Sequence, residues 1–196
     1  MKTPVVEVER VCTAPSQLPP RKGPEVAVVG RSNVGKSTLV NALLNRPGLL
    51  RTSRTPGRTQ AVIFVRVGEK GYVVDLPGYG YAKVPESVRR SWAGLVNGYL
   101  ESRRGQTALL LVDVRREPGE DERQLMEWFR RYEWTVQVVL TKSDKLPRGK
   151  RTAAERNAAK ALGLETGREP LLFSAVTGEG LKALRAIVER SMEPRT

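Results

Sequence analysis

The sequence predicts a single α/β domain: a mostly parallel six-stranded sheet with one antiparallel strand and helices on both faces. Three observations carry that prediction. The 196 residues alternate short apolar runs with longer amphipathic segments. The first core run leads straight into a glycine-rich turn. Residues 68–71 read as a tight hairpin turn, which joins two antiparallel strands.

Taken in order, residues 25–29 form the first core strand, and a helix runs from 37 to about 46. A basic loop with Pro and Gly, 47–57, leads to a strand at 61–67, the turn, and a strand at 72–75. Pro85 suits the first turn of a helix, on which Val88, Trp92, Leu95, Val96 and Tyr99 share one face. Residues 108–113 are strand, and Leu125, Trp128, Phe129 and Tyr132 mark the inner face of the next helix. A strand at 135–140, an alanine-rich helix at 151–162 and a short strand at 171–174 follow. The last helix presents Leu181, Leu184, Ile187, Val188 and Met192 to the core. Residues 1–24 read as an N-terminal extension punctuated by prolines, in which 5–11 could add an edge strand. Residues 25–196 are the domain proper.

Histidine is absent and Cys12 is the single cysteine. Structural disulfides, Cys/His zinc sites, histidine triads and histidine pH switches are therefore excluded. The longest apolar stretches, such as 108–112, fall far short of the roughly 20 residues that span a bilayer. Residues 1–20 lack the continuous apolar run of a signal peptide. A cytoplasmic protein with no membrane partner is expected. Lys and Arg number 34 against 21 Asp and Glu, a net charge of +13 that points to a polyanionic partner.

Gly30-Arg31-Ser32-Asn33-Val34-Gly35-Lys36-Ser37 fits the phosphate-binding loop pattern. Its place after a strand and before a helix is what the pattern requires. The glycines let backbone amides turn inward, and the helix aims its positive end at the phosphates. Lys36 would reach the β- and γ-phosphates, and Ser37 would offer its hydroxyl to Mg²⁺. Asp75-Leu76-Pro77-Gly78 ends a second strand. There Asp75 can hold a magnesium-bound water, and the Gly78 amide can bond the γ-phosphate. Thr141-Lys142-Ser143-Asp144 follows a third strand. The Asp144 carboxylate can accept from both N1–H and the 2-amino group of guanine, and adenine lacks both donors. A desolvated acid left unpaired rejects the wrong base by several orders of magnitude. The stem of Lys142 can pack on the base, and Ser174-Ala175 would turn a backbone amide toward guanine O6.

With these strings in this order the chain resembles the EngB family of bacterial GTPases, in the translation-factor-related branch. Ser16-Gln17-Leu18-Pro19-Pro20, Thr55-Pro56-Gly57-Arg58-Thr59-Gln60 and Asp75-Leu76-Pro77-Gly78-Tyr79-Gly80-Tyr81-Ala82 carry the likeness. The resemblance implies a single G domain that binds GTP and GDP with Mg²⁺ and hydrolyses GTP. It implies a role in assembling the large ribosomal subunit, through its precursor and rRNA, and in normal cell division and septation. A monomer without DNA contacts is expected, and at this length no second G domain or KH domain. The resemblance adds Thr38, Gly57, Arg58, Thr59, Gln60 and Val176 to the nucleotide-binding set. Thr59 falls at the switch I threonine that closes over Mg²⁺ and the γ-phosphate, beside the catalytic candidates Lys36 and Gly78. Asn33 falls where potassium-dependent relatives help bind K⁺.

Ras-like proteins place a water-orienting glutamine where this chain has Tyr79, so slow intrinsic turnover is expected. The switch elements fall at 46–60 and 78 to about 90. Arg46, Arg51, Arg54, Arg58, Arg66 and Lys70 stand against Glu69 alone, which makes Arg51, Arg54 and Arg58 an expected rRNA contact. Lys145, Arg148, Lys150 and Arg151 form a second candidate patch. Two alternatives stay open: a structural division protein that uses GTP to control self-association or docking at the septum, and a disfavoured P-loop kinase.

Overall fold

The computed structural model describes residues 5–51, 61–79 and 86–193, with side chains from Gly94 onward in the third segment. The strands are β1 (Val6–Cys12), β2 (Glu25–Gly30), β3 (Val62–Val67), β4 (Gly71–Asp75), β5 (Thr107–Asp113), β6 (Thr135–Thr141) and β7 (Leu171–Phe173). The helices are α1 (Lys36–Leu43), α2 (Glu86–Ser102), α3 (Glu120–Arg131), α4 (Arg148–Ala161) and α5 (Leu181–Ser191). The sheet order is β1-β3-β4-β2-β5-β6-β7. β3 is antiparallel to both neighbours and every other pairing is parallel. One strand therefore runs against the rest, as the short 68–71 turn requires.

The strand count is seven rather than six. Val6–Cys12 is the edge strand that was one of two readings of the N-terminal stretch, and it pairs with β3 across a bulge between Val8 and Arg10. Its polar alternation hid it. Glu7 and Glu9 bond Arg66 on the solvent face, while Cys12 at its end is fully buried. The alanine-rich helix begins three residues before the expected start, because Pro147 takes the N-cap position.

Central strands are buried on both faces, which explains their near-continuous apolar runs. Along β2, Val26 and Val28 face one core layer, and Ala27 and Val29 face the other. In β5, Leu109 and Leu111 alternate with Ala108, Leu110 and Val112 in the same way. Helices α1 and α5 cover the first layer through Leu39, Val40, Leu43, Leu184 and Val188. Helices α2, α3 and α4 cover the second, with Leu95, Tyr99, Met126, Phe129 and Ala158. Met126 takes a core place not foreseen, whereas Leu125, Trp128 and Tyr132 are only half-buried at its rim. Pro85 and the side chains of Val88 and Trp92 lie outside the described residues.

A buried polar cluster closes the end of the sheet where β2 begins. Glu25 accepts from Arg103 Nε at 2.9 Å and from the Tyr99 hydroxyl at 2.9 Å. Arg103 also donates to the Pro19 carbonyl, so the Ser16 to Pro20 string is tied to α2 and β2. Burial raises the Glu25 pKa, and Arg103 and Tyr99 work against that rise. Removing one partner of such a buried pair strands the other charge, at a cost of about 3–5 kcal/mol. Arg103→Ala should lower stability by that much in urea unfolding. A change below about 1 kcal/mol would show that the pair holds nothing together.

Candidate functional site

β2 ends at Gly30 between β4 and β5, and the chain leaves the sheet there at its carboxyl edge. In open α/β sheets that edge is where ligands sit. A Cβ on Gly30 would lie 2.7 Å from the Leu111 carbonyl oxygen, so glycine is required for β5 to approach. Asn33 and Gly35 both have left-handed backbones, at φ 60° and 109°. Flanking Val34, they give the loop the backbone pattern of an anion-binding nest, and α1 begins immediately after Gly35.

The Lys36 ammonium is nearly buried and donates to the Gly30 and Arg31 carbonyls at 3.0 and 3.2 Å. Burial lowers its pKa, and the charge of Asp75 opposes the change. Asp75 is buried at the end of β4, and its Oδ2 accepts from the Ser37 hydroxyl at 3.1 Å. Its Oδ1 is buried without a partner among the described residues. Burial pushes this carboxyl up to about 6, against the pull of Lys36 and Ser37. A buried orphan oxygen beside a hydroxyl suits a hard, oxygen-liganded cation such as Mg²⁺.

The 141–144 string lies at the end of β6, next to the Gly30 loop. Thr141 is buried, and its hydroxyl donates to the Val34 carbonyl at 2.8 Å, bracing the loop. Lys142 has φ 60°, and its ammonium donates to the Asn33 carbonyl at 2.8 Å. Ser143 is buried and donates to Glu179. Asp144 accepts from the Ser174 hydroxyl at 2.7 Å, which holds its carboxyl below the usual range. The Ser174 hydroxyl in turn accepts from the amides of Val176 and Thr177. Ala175 is exposed beside the 81% exposed Val176. The structure thus gathers Gly30 to Ser37, Asp75, Lys142, Asp144 and Ser174 along one edge, with Thr38 exposed on α1. Gly57, Arg58, Thr59 and Gln60 lie outside the described residues.

Leu76 continues β4 through a bond from its amide to Val28 O at 3.1 Å. Beyond Pro77, Gly78 lies against Lys36. Tyr79 packs on the helical core layer, and its hydroxyl donates to Glu122 at 3.1 Å. Burial first, and then the neighbouring carboxylate, keeps that hydroxyl protonated. Its side chain is committed to packing.

Three residues of this edge escaped the sequence reading. Asp113, at the end of β5, meets the Lys142 ammonium at 3.0 Å and the Arg115 guanidinium at 2.7 Å. Burial alone would raise its pKa, but bonds from Arg115 and Lys142 hold it well below the usual carboxylate range. Glu179 bonds Arg151 and Ser143, joining the 174–180 loop to α4 and the 141–144 string. Glu122 receives Tyr79. A carboxylate at a strand's carboxyl end was the available signal for Asp113. The other two meet their partners only through the fold.

The family described as 50S ribosome-binding GTPase matches residues 25–142. The probable GTP-binding protein EngB of Geobacter metallireducens is 45% identical over 190 residues, covering 96% of this chain and 93% of the relative. The chain belongs to the EngB family of GTP-binding proteins. The EngB relative from Syntrophus aciditrophicus is 46% identical over 181 residues, 92% of this chain and 91% of that one. A crystal structure of a probable GTP-binding protein engB shares the fold at TM-score 0.71 and 21% identity, covering 87% of this chain and all of the other. Era, crystallised with MgGDPNP and a 16S rRNA segment, shares it at TM-score 0.66 and 24% identity, over 90% of this chain and 59% of Era.

Within this EngB site, Asp113 orders Lys142 and through it the P-loop. Its depressed pKa stabilises the fold above the ordinary carboxylate value of about 4, and that contribution is lost as pH falls through and below it. Asp113→Asn should therefore melt below the wild type at pH 7, with the gap closing below about pH 4. It should also release GDP about tenfold faster, the effect of losing one bond to a charged group. A melting gap independent of pH would contradict this.

Proposed function

We propose that this chain is a GTP-hydrolysing switch whose GTP state engages precursors of the large ribosomal subunit, and that normal division and septation depend on that work. The observation that supports it best is the convergence of Lys36, Asp75, Asp144 and Ser174 at one sheet edge. The amides of residues 30–37 and the positive end of α1 receive the phosphates, with Lys36 against the β- and γ-groups. Ser37 and Asp75, the latter through water, would hold Mg²⁺ together with Thr59, which the resemblance assigns to switch I; the ion would supply charge neutralisation on the phosphates. Asp144 accepts from guanine N1–H and the 2-amino group, Lys142 lies along the base, and Ser174-Ala175 meets O6. Turnover is slow because the Tyr79 hydroxyl is bound to Glu122 and has no amide with which to orient water. Asn33 is the K⁺ ligand, in which case hydrolysis runs faster in KCl than in NaCl at equal ionic strength.

The ribosomal part draws on the family description, the +13 charge and the surface of α4. Arg148 and Lys150 sit in the first turn of α4, where positive charge opposes the helix dipole, and no acid accompanies them. α3 has the stabilising arrangement, with three acids in its first turn and two arginines in its last. Arg148, Thr152, Arg156 and Lys160 recur every four residues along the exposed face of α4, and its three basic members make no ion pair among the described residues. A row of exposed cations without ion-pair partners among the described residues suits a phosphate backbone. Arg151 is diverted from that row by Glu179 and the Leu146 carbonyl. Arg66 is diverted by Glu7 and Glu9. Arg51 is exposed, while Arg54 and Arg58 lie outside the described residues.

Co-sedimentation with precursor large subunits should be strong with a non-hydrolysable GTP analogue and weak with GDP. Replacing Arg148, Arg156 and Lys160 by Gln should weaken binding and flatten its salt dependence. Binding indifferent to nucleotide would reduce the contact to unspecific charge. No binding in any state would shift the weight to the division-protein alternative.

A further inference from the structure

Asp144 sits in the short helical turn Ser143–Lys145, and that turn is held at both ends by side chains from other elements. At its start the hydroxyl of the fully buried Ser143 donates to Glu179 Oε2. At its end Arg151 Nε donates to the Leu146 carbonyl at 3.1 Å. The two anchors are themselves joined, because Arg151 Nη1 donates to both Glu179 oxygens at 2.9 and 3.0 Å. Ser143, Glu179, Arg151 and Leu146 thus close a ring around the turn.

Glu179 also holds the other side of the base position. Its carbonyl accepts from the Ser174 amide at 3.1 Å, and the Ser174 hydroxyl donates to Asp144 Oδ1 at 2.7 Å. Side chain and main chain of one residue therefore fix Asp144 and Ser174 relative to each other. Its own backbone is set by Gly178 and Gly180 on either side, both at φ 76°. A Cβ on Gly180 would lie 2.0 Å from the Leu172 carbonyl oxygen, so the loop is pressed onto β7 there.

A carboxylate that accepts N1–H with one oxygen and the 2-amino group with the other must lie in the plane of the base. Such a constellation has to be held to about 10–20°. The bond from Ser174 fixes one oxygen of Asp144 and leaves rotation about that bond open. Lys145 reaches the other oxygen only at 3.5 Å, from an exposed side chain. The plane of the carboxylate is set by the turn, and the turn is set by the ring.

We propose that Glu179 and Arg151 are positioning residues for guanine, whose clamp on residues 143–146 aligns the Asp144 carboxylate with the 2-amino group. This inference rests on the reading of Asp144 as the acid that recognises the base. Arg151 then serves nucleotide selection, although it lies in the basic run that opens α4.

Inosine diphosphate isolates the effect. It has the phosphates, ribose, N1–H and O6 of GDP and lacks only the 2-amino group. Displacement of a fluorescent GDP by each, with Mg²⁺, tests the clamp on the wild type, Glu179→Ala, Glu179→Gln and Arg151→Met. The wild type should prefer GDP by about tenfold or more, the effect of one bond to a charged acceptor. Glu179→Ala and Arg151→Met should bring that ratio within about threefold, by weakening GDP more than inosine diphosphate. Glu179→Gln keeps an oxygen for Ser143 and should hold an intermediate ratio. If Glu179→Ala does not fold, the other two variants carry the test. A ratio unchanged in the variants, or an equal loss for both nucleotides, overturns the clamp and leaves Asp144 as the base acid. A wild type that does not separate the two nucleotides overturns the reading of Asp144, and the clamp with it.

Discussion

The close approach of β5 to β2 at Gly30 is the constraint on which the rest of the structure depends. All six residues of β2 are buried, with β4 on one flank and β5 on the other. The strand has no exposed edge along which to drift, so its end is fixed in space. Because Gly30 carries no side chain, Leu111 can lie against it, and the loop that follows must leave at the sheet's carboxyl edge. β4 delivers Asp75 to that edge, β5 delivers Asp113, and β6 delivers Thr141. The parallel registers make this unavoidable: Val28 is opposite Asp75, and Asp113 is opposite Thr141. A single buried strand thus gathers the functional groups of elements far apart in sequence.

What joins these strand ends is a small set of charges with two employers each. Lys142 serves the Asn33 carbonyl and Asp113, so the base loop and the phosphate loop move together. Glu179 serves Arg151 and Ser143, and Glu122 serves Gly119 and Tyr79. Each carboxylate is at least partly withdrawn from water, where losing one partner leaves a desolvated charge. The site is therefore rigid along the base side.

The sequence made legible whatever depends on local pattern. The apolar runs of the core strands, the short 68–71 turn and the Gly30 to Ser37 string all sit in the fold where their residue types require. The edge strand Val6–Cys12 was only half legible, since its solvent face carries Glu7 and Glu9 and its partner Arg66 lies some sixty residues away. Glu179 and Glu122 were illegible for a related reason. Each is an ordinary surface acid until the fold brings Arg151 or Tyr79 to it. Arg151 misled in the opposite direction, reading as part of a basic run while the structure spends it on Glu179. Charge counts along a chain do not separate cations free for a partner from those already paired.

The central claim is that four strand ends build one pocket whose base specificity resides in the Asp144 carboxylate. Displacement of a fluorescent guanosine diphosphate by GDP, ADP and xanthosine diphosphate, on the wild type and on Asp144→Asn, tests it most directly. The account predicts that GDP alone displaces the probe from the wild type, and that Asp144→Asn transfers the preference to xanthosine diphosphate. Displacement by ADP as effective as by GDP, or an Asp144→Asn variant that keeps its preference for guanine, would contradict it.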